Sequence, residues 1–251
     1  MSAGCTLCGQ RTCASHFGLP VGAATAAVVA LAGNPNTGKS TLFNVLTGLR
    51  QHTGNWPGKT VMRAEGLCRY RDRKFLVVDL PGTYSLLAHS PEEEVARDFL
   101  LAGQPNATVV VTDASCLGRN LNFVLQVLEI TSQVVVAVNL TDEARRKGMQ
   151  VDTEELSRQL GVPAVATNAR RGEGVDRLLA AVDDVVAGRH TPAVRPIRYD
   201  PPIEAAVTEL ESLLDLWLPN PAQRRWAALR LLEGETGVLA PLGLTPMESP
   251  R

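Results

Sequence analysis

The sequence predicts an α/β fold, a mixed and mostly parallel sheet with helices on both faces, followed by a small C-terminal helical extension. Three observations predict it. From Ala26 onward, short runs rich in β-branched residues alternate with amphipathic stretches, the pattern of successive strand and helix units. A glycine-rich loop, Gly33 to Ser40, stands directly between the first such run and the first helical stretch. After Gly188 the texture changes, first to closely spaced prolines and then to helical periodicity alone.

The strands are expected at Ala27–Ala32, Lys74–Val78, Thr108–Val111, Val134–Val138 and Ala164–Ala166, apolar runs of the kind that survive burial on both faces. Thr60–Arg69 is less regular and reads as an edge strand. Between them, Leu42, Val45, Leu46 and Leu49 recur at helical spacing, with Gly48 weakening only the last turn. Ser90-Pro91-Glu92-Glu93 supplies an N-cap serine, a proline at the first helical position and a glutamate at the third, so a helix opens there and runs toward Leu101. Asn120–Ile130, Asp152–Leu160 and Val175–Val186 complete the set. This divides the chain into a Cys-rich tail (1–25), an α/β domain (26–190), a Pro-rich linker (191–202) and a helical extension (203–251). Within the extension, Ile203–Leu218 and Gln223–Leu232 read as helices separated by Pro219-Asn220-Pro221. Two helices are thin as an independent core and are expected to pack on the α/β domain or to belong to a longer helical region.

Composition narrows the function classes. With 45% hydrophobic and 20% charged residues over 251 positions, disordered and low-complexity classes fall away. Lys plus Arg (25) nearly cancels Asp plus Glu (26), so no net field draws the whole chain to nucleic acid or an anionic membrane. The apolar stretch Val21–Gly33 is too short to cross a bilayer. Met1–Gln10 lacks the basic start and apolar run of a secretory signal, which points to a reducing, cytoplasmic setting where cysteines are thiols or ligands.

The loop Gly33-Asn34-Pro35-Asn36-Thr37-Gly38-Lys39-Ser40 matches G-x-x-x-x-G-K-[ST] in its required context, after a strand and before a helix. Its glycines let backbone N–H groups turn inward around phosphates, and the helix N-terminus adds its positive end. Asn36, Thr37, Gly38, Lys39, Ser40 and Thr41 are the expected phosphate-binding residues. Lys39 would reach the β- and γ-phosphates, and the Ser40 hydroxyl is placed to ligate Mg2+. Asp79-Leu80-Pro81-Gly82 closes the strand Lys74–Val78, which brings Asp79 to the same sheet edge to hold magnesium through water, with the Gly82 N–H contacting the γ-phosphate.

Base choice is read from Asn139-Leu140-Thr141-Asp142, which resembles the N-x-x-D motif of GTPases. The Asp142 carboxylate accepts from guanine N1–H and the exocyclic amine, a pair that adenine does not offer. Thr167-Asn168-Ala169 occupies the place where GTPases carry Ser-Ala or Thr-Ala. Asn168 stands for the usual serine, and the Ala169 N–H is left to read guanine O6, in a loop expected to be less tightly held.

With these four motifs in order, the chain resembles the GTPase domain of FeoB-type ferrous iron transporters, a P-loop GTPase (Ras-like) fold, over nearly all of Ala26 to Glu233. The more specific matches are Gly33-Asn34-Pro35-Asn36, His52-Thr53-Gly54-Asn55-Trp56-Pro57-Gly58-Lys59-Thr60-Val61 as first switch, Asp79 to Leu86 as second, and Arg225 to Gly234 in the extension. The resemblance implies binding and hydrolysis of GTP to GDP, with Lys39, Thr60 and Gly82 in the reaction. Thr60 is then the switch threonine that closes on magnesium, sharing the ion with Ser40 and Asp79. Trp56 is expected to be more exposed than a core tryptophan, with a packing anchor as the alternative. Thr83 follows Gly82 where Ras-like enzymes place a water-orienting glutamine, so intrinsic turnover is expected to be slow. Asn36 resembles the asparagine by which potassium-activated relatives hold K+ beside the phosphates.

Cys5, Cys8, Cys13 and His16 offer three soft ligands and an imidazole, enough for a tetrahedral Zn2+ or Fe2+ site, against the alternative of a disordered tail with unpaired thiols. Cys68 and Cys116 are isolated and read as small buried or loop residues. The expected partner is a membrane-embedded transporter portion of the same or a companion chain at the cytoplasmic face of the inner membrane. A homo-oligomer is open, and no nucleic acid is expected. The runner-up is a ribosome-assembly or RNA-modification GTPase, which the mixed charge of 203–232 disfavours. A third reading is a metal-binding module on a vestigial GTPase scaffold. The chain stops where the resembling family continues into membrane helices, and so it is expected to be the cytoplasmic portion of a longer protein or a separately encoded one.

Overall fold

The computed structural model describes residues 26–48, 51–87, 90–195, 198–218 and 220–235. In chain order the elements are β1 (Ala27–Gly33), α1 (Lys39–Thr47), β2 (Gln51–Asn55), β3 (Met62–Tyr70), β4 (Arg73–Asp79), α2 (Pro91–Ala102), β5 (Ala107–Asp113) and α3 (Leu117–Ile130). They continue as β6 (Val134–Asn139), α4 (Thr141–Arg146), α5 (Thr153–Leu160), β7 (Ala164–Ala166), α6 (Val175–Val186), α7 (Pro201–Leu214) and α8 (Pro221–Leu232). The seven strands form one sheet in the order β2-β3-β4-β1-β5-β6-β7. Pairing is parallel from β4 through β7 and antiparallel for β2 with β3 and β3 with β4.

Two-residue alternation sorts the central strands between two cores. Ala30, Ala32, Leu76, Val78, Val110, Val134, Val136 and Val138 face the layer of α2 and α3. Val29, Leu31, Phe75, Val77, Val109, Val111, Val135 and Ala137 face Leu42 and Phe43 of α1 and Leu178, Val182 and Val185 of α6. The continuous apolar runs of β1, β5 and β6 are thus explained by helices on both sides.

Three expectations change. The edge strand expected at Thr60–Arg69 forms as Met62–Tyr70 and is not at the edge, because Gln51–Asn55, whose His52 to Asn55 are expected in the first switch, pairs with it antiparallel and takes the edge. The helix expected from Ile203 to Leu218 begins at Pro201 and ends at Leu214, so two prolines assigned to the linker form its first turn after Asp200. Proline lacks only an N–H that a first turn leaves unused. The short α4, directly after Asn139-Leu140, was not anticipated. The N-cap serine holds, with Glu93 N–H donating to Ser90 Oγ at 3.2 Å, and Gly48 closes α1 in the left-handed conformation. Leu49, the tail 1–25 and the segment beyond 235 lie outside the described residues.

The helical extension packs on the α/β domain, as its thin core requires. Val207 and Leu214 of α7 and Trp226, Ala227, Ala228 and Leu229 of α8 join the cluster that contains Phe99 of α2 and Phe123 and Val127 of α3. The Gln223 amide donates to the carbonyl of Leu101, 3.0 Å away, at the end of α2. Within the extension, Arg225 makes a forked pair with Glu204 at 2.7 and 3.0 Å. The Arg225 guanidinium, the Tyr199 N–H and Arg198 together hold the Glu204 carboxyl down to about 2. No helix among the described residues is long and apolar enough to cross a membrane.

Candidate functional site

Strand β1 has β4 on one side and β5 on the other, so the loop leaving its C-terminal end opens at the point where strand order reverses, the usual ligand crevice of such sheets. Gly33 ends β1 at φ 149°, and a Cβ there would lie 2.4 Å from the Val111 carbonyl oxygen of β5. Gly38 precedes α1 at φ 81°, where a Cβ would meet Asn139 Nδ2 at 2.4 Å. Only glycine admits these close backbone approaches. Asn36, exposed, adopts φ 65° between them, and the Thr37 hydroxyl donates to the Asn34 carbonyl at 2.9 Å. The loop is therefore shaped by the chain itself, with Ser40 and Thr41 exposed in the first turn of α1.

Lys39 is buried, and its Nζ donates to Asp79 Oδ1 at 2.6 Å. The residue expected on the phosphates and the carboxylate expected at magnesium thus meet one another. Burial pushes the Asp79 carboxyl up, and the Lys39 ammonium opposes that rise. Gly82 packs against the phosphate loop, since a Cβ there would come within 3.4 Å of Pro35 Cα. Thr83 is buried and its Oγ1 has no hydrogen-bond partner among the described residues.

Asn139 joins the phosphate loop to the base loop. Its Nδ2 donates to the Thr37 carbonyl at 2.9 Å, and its Oδ1 accepts from Ala169 N–H at 3.0 Å and from the Thr167 hydroxyl at 3.2 Å. Leu140, left-handed at φ 59°, then turns the chain into α4, which places Asp142 half-buried beside the crevice, with Arg146 Nη2 3.6 Å from its carboxylate. The Thr141 hydroxyl donates to the Thr167 carbonyl at 3.0 Å.

One expectation is corrected here. The loop at Asn168 is tightly held, because Asn168 N–H donates to Glu173 O at 2.9 Å and Glu173 N–H returns to Asn168 O at 3.2 Å. The Ala169 N–H, expected to face guanine O6, donates to Asn139 Oδ1. Asn168 itself is buried, with its Nδ2 unpartnered among the described residues.

In the first switch, Thr60 is exposed, while Trp56 is 3% exposed rather than open to solvent. Its ring stands edge-on to Phe99 with centroids 5.3 Å apart, so the packing-anchor alternative holds. Cys5, Cys8, Cys13 and His16 lie outside the described residues, and no group of three or more His, Cys, Asp or Glu among the described residues is arranged to hold a metal ion. Cys68 is buried and Cys116 exposed.

Sequence reasoning missed Thr141 and Thr167 as braces, and Lys59 and Glu94, which pair across from switch to helix. Thr141 lies inside the N-x-x-D motif and carried a local signal. The Lys59 pair crosses elements and carried none.

Comparison with known proteins places this geometry. Residues 27–182 match the family model of ferrous iron transport protein B, and residues 199–250 match the FeoB cytosolic helical domain. The Fe(2+) transporter FeoB of Escherichia coli (strain K12) is 39% identical over 211 residues, covering 82% of this chain and 27% of that protein. That of Salmonella typhimurium (strain LT2) is 40% identical with the same coverage. The chain thus spans about a quarter of the length of the curated relatives it matches. Among solved structures, a GDP-bound NFeoB variant from S. thermophilus superposes with a TM-score of 0.76 at 38% identity, covering 87% of this chain and 84% of that one. The cytosolic domain of L. pneumophila FeoB gives 0.77 at 31% identity, covering 85% and 84%.

Proposed function

Because the chain belongs to the FeoB ferrous iron transport family, we propose that it binds GTP with magnesium, hydrolyses it slowly, and uses its two switch segments to govern ferrous iron passage through a membrane-embedded portion of the same or a companion chain. The site of action is the cytoplasmic face of the inner membrane. The observation that carries this reading is the convergence of Lys39, Asp79 and Asn139 at one sheet edge, with Lys39 Nζ 2.6 Å from Asp79 Oδ1 and Asn139 bonded to both the phosphate loop and the base loop.

The donor set suits the reaction. The backbone between the two tightly approached glycines, with the N-terminus of α1, forms a cradle for the β- and γ-phosphates, and Lys39 adds a positive charge. Ser40 directly and Asp79 through water, joined by Thr60 on switch closure, would be the oxygen donors for magnesium, which would supply neutralisation of charge on the transferring phosphoryl group. Asp142 reads guanine, and Asn139 holds that reader in register with the phosphate loop. The position after Gly82 holds a buried threonine, so orientation of the attacking water falls to backbone groups of the switches and to Thr60. Slow intrinsic turnover follows.

Asn36, exposed on the phosphate loop, is the candidate ligand for a potassium ion that stands where an arginine finger would. Hydrolysis is expected to run faster in potassium than in sodium at equal ionic strength, and to lose that preference in Asn36→Ala. Equal rates in the two salts would remove potassium from the mechanism.

Cys5, Cys8, Cys13 and His16 are proposed as a zinc or iron site on the N-terminal tail. Purified protein is expected to carry metal that is lost when Cys5 and Cys8 are replaced by serine, as read by elemental analysis. Equal metal content in both proteins would leave the tail without that role.

A further inference from the structure

The loop that carries Thr60 is a closed turn fastened to α2 at two points. Lys59 N–H donates to Trp56 O at 3.0 Å and Trp56 N–H to Val61 O at 2.9 Å. Pro57 at the second position and Gly58 at φ 71° in the third make Trp56–Lys59 a type II turn, and glycine is what the third position requires. The first fastening is Trp56, buried edge-on against Phe99 of α2, with Arg63 stacked 5.8 Å from the ring centre. The second is Lys59, whose ammonium pairs with Glu94, five residues earlier on the same helix. Thr60 sits exposed between Lys59 and the buried Val61.

We propose that Lys59 and Glu94 are positioning residues, a latch that sets how readily Thr60 moves to the nucleotide-bound magnesium ion. This rests on the GTPase reading above. Successive Cα atoms are about 3.8 Å apart, so Thr60 cannot travel toward the phosphate loop without carrying the Lys59 backbone with it. That travel strains or parts the Lys59–Glu94 pair. Trp56, buried by its ring, stays as the pivot, and the rigid turn swings about it. A ligand shifts a switch only by its differential interaction with the two positions. A γ-phosphate with magnesium draws Thr60 and works against the latch, whereas GDP makes no such demand and is indifferent to it. Lys59 and Glu94 side chains are 31% and 40% exposed, so solvent screens the pair and the latch is a fine adjustment of a few-fold rather than a lock.

The test compares a non-hydrolysable β,γ-imido GTP analogue with GDP, both with Mg2+, on the full chain as wild type, Lys59→Met, Glu94→Gln, the double variant and Lys59→Arg. Each neutral single variant is expected to bind the analogue about threefold more tightly with GDP affinity unchanged, a gain of the size a part-exposed ion pair supports. The double variant is expected to gain no more than either single, since one interaction is being removed twice. Lys59→Arg should match wild type, and the gain should shrink in 1 M salt. An analogue-to-GDP ratio unmoved in both singles, or gains that multiply in the double variant, overturns the latch while leaving the GTPase reading in place. A wild-type chain that binds neither nucleotide overturns both.

Discussion

Lys39→Ala is expected to weaken GTP and GDP binding by about a hundredfold or more, equivalent to about 3 kcal/mol. The phosphate contact carries the effect. The ammonium no longer meets the phosphate oxygens, a charge-assisted bond that no neighbour in the loop replaces. Asp79 also loses its partner at 2.6 Å while remaining largely buried, so desolvation, already the dominant influence on its carboxyl, acts without opposition. Lys39→Arg is not a rescue, because a planar fork does not fit where a compact charge sits buried in a glycine-shaped loop. Titration with a fluorescent guanine nucleotide reads the effect. Affinity within about threefold of wild type would remove Lys39 from the phosphate site.

Asn139→Ala is expected to damage both stability and binding. Asn139 is fully buried, and its removal leaves the Thr37 carbonyl, the Ala169 N–H and the Thr167 hydroxyl without it. At roughly 1 to 3 kcal/mol for each orphaned buried group, and with partial relaxation, a loss of about 3 kcal/mol follows. For a chain of this size that lowers Tm by roughly 6 to 12 °C. Nucleotide affinity should fall further than stability alone explains, because Gly38 and Ala169 lose their common reference. Asn139→Asp keeps both acceptor bonds but not the donor to Thr37, and it buries a charge, so it should be no better. Thermal unfolding with and without GDP checks this. A Tm within about 2 °C of wild type would show that the two loops hold their places independently.

The parts of the site legible in the sequence are those written within one loop at the end of one strand. Gly33 to Ser40 states its conformation through its own glycines, and Asp79, Asn139 and Asp142 follow apolar runs whose burial fixes where they emerge. The parts that were not legible are made by partners distant along the chain. Gln51–Asn55 has no strand pattern, is exposed throughout, and becomes a strand only because the tight turn at Trp56–Val61 folds it back on β3. Trp56 reads as an exposed switch residue until α2 brings Phe99 to it. Asn139 reads as a base contact, whereas its bond to Thr37 spans 102 residues. The start of α7 is a different case. Asp200 before two prolines is a local helix-opening signal, and the density of prolines masked it.

The helical extension contributes Val207, Leu214, Trp226, Ala227 and Leu229 to the same apolar cluster that lies under α2 and α3. The Pro-rich linker is therefore a seam in the sequence and not a seam in the free energy. An appendage with its own core could open and close at little cost to its neighbour. Here any detachment of α8 from α3 withdraws cohesion from the nucleotide-binding body itself, so the two parts are expected to unfold together. A strain that begins at α2 is then carried by a common interior, and α7 and α8 respond to it as members of the fold rather than as receivers of a signal.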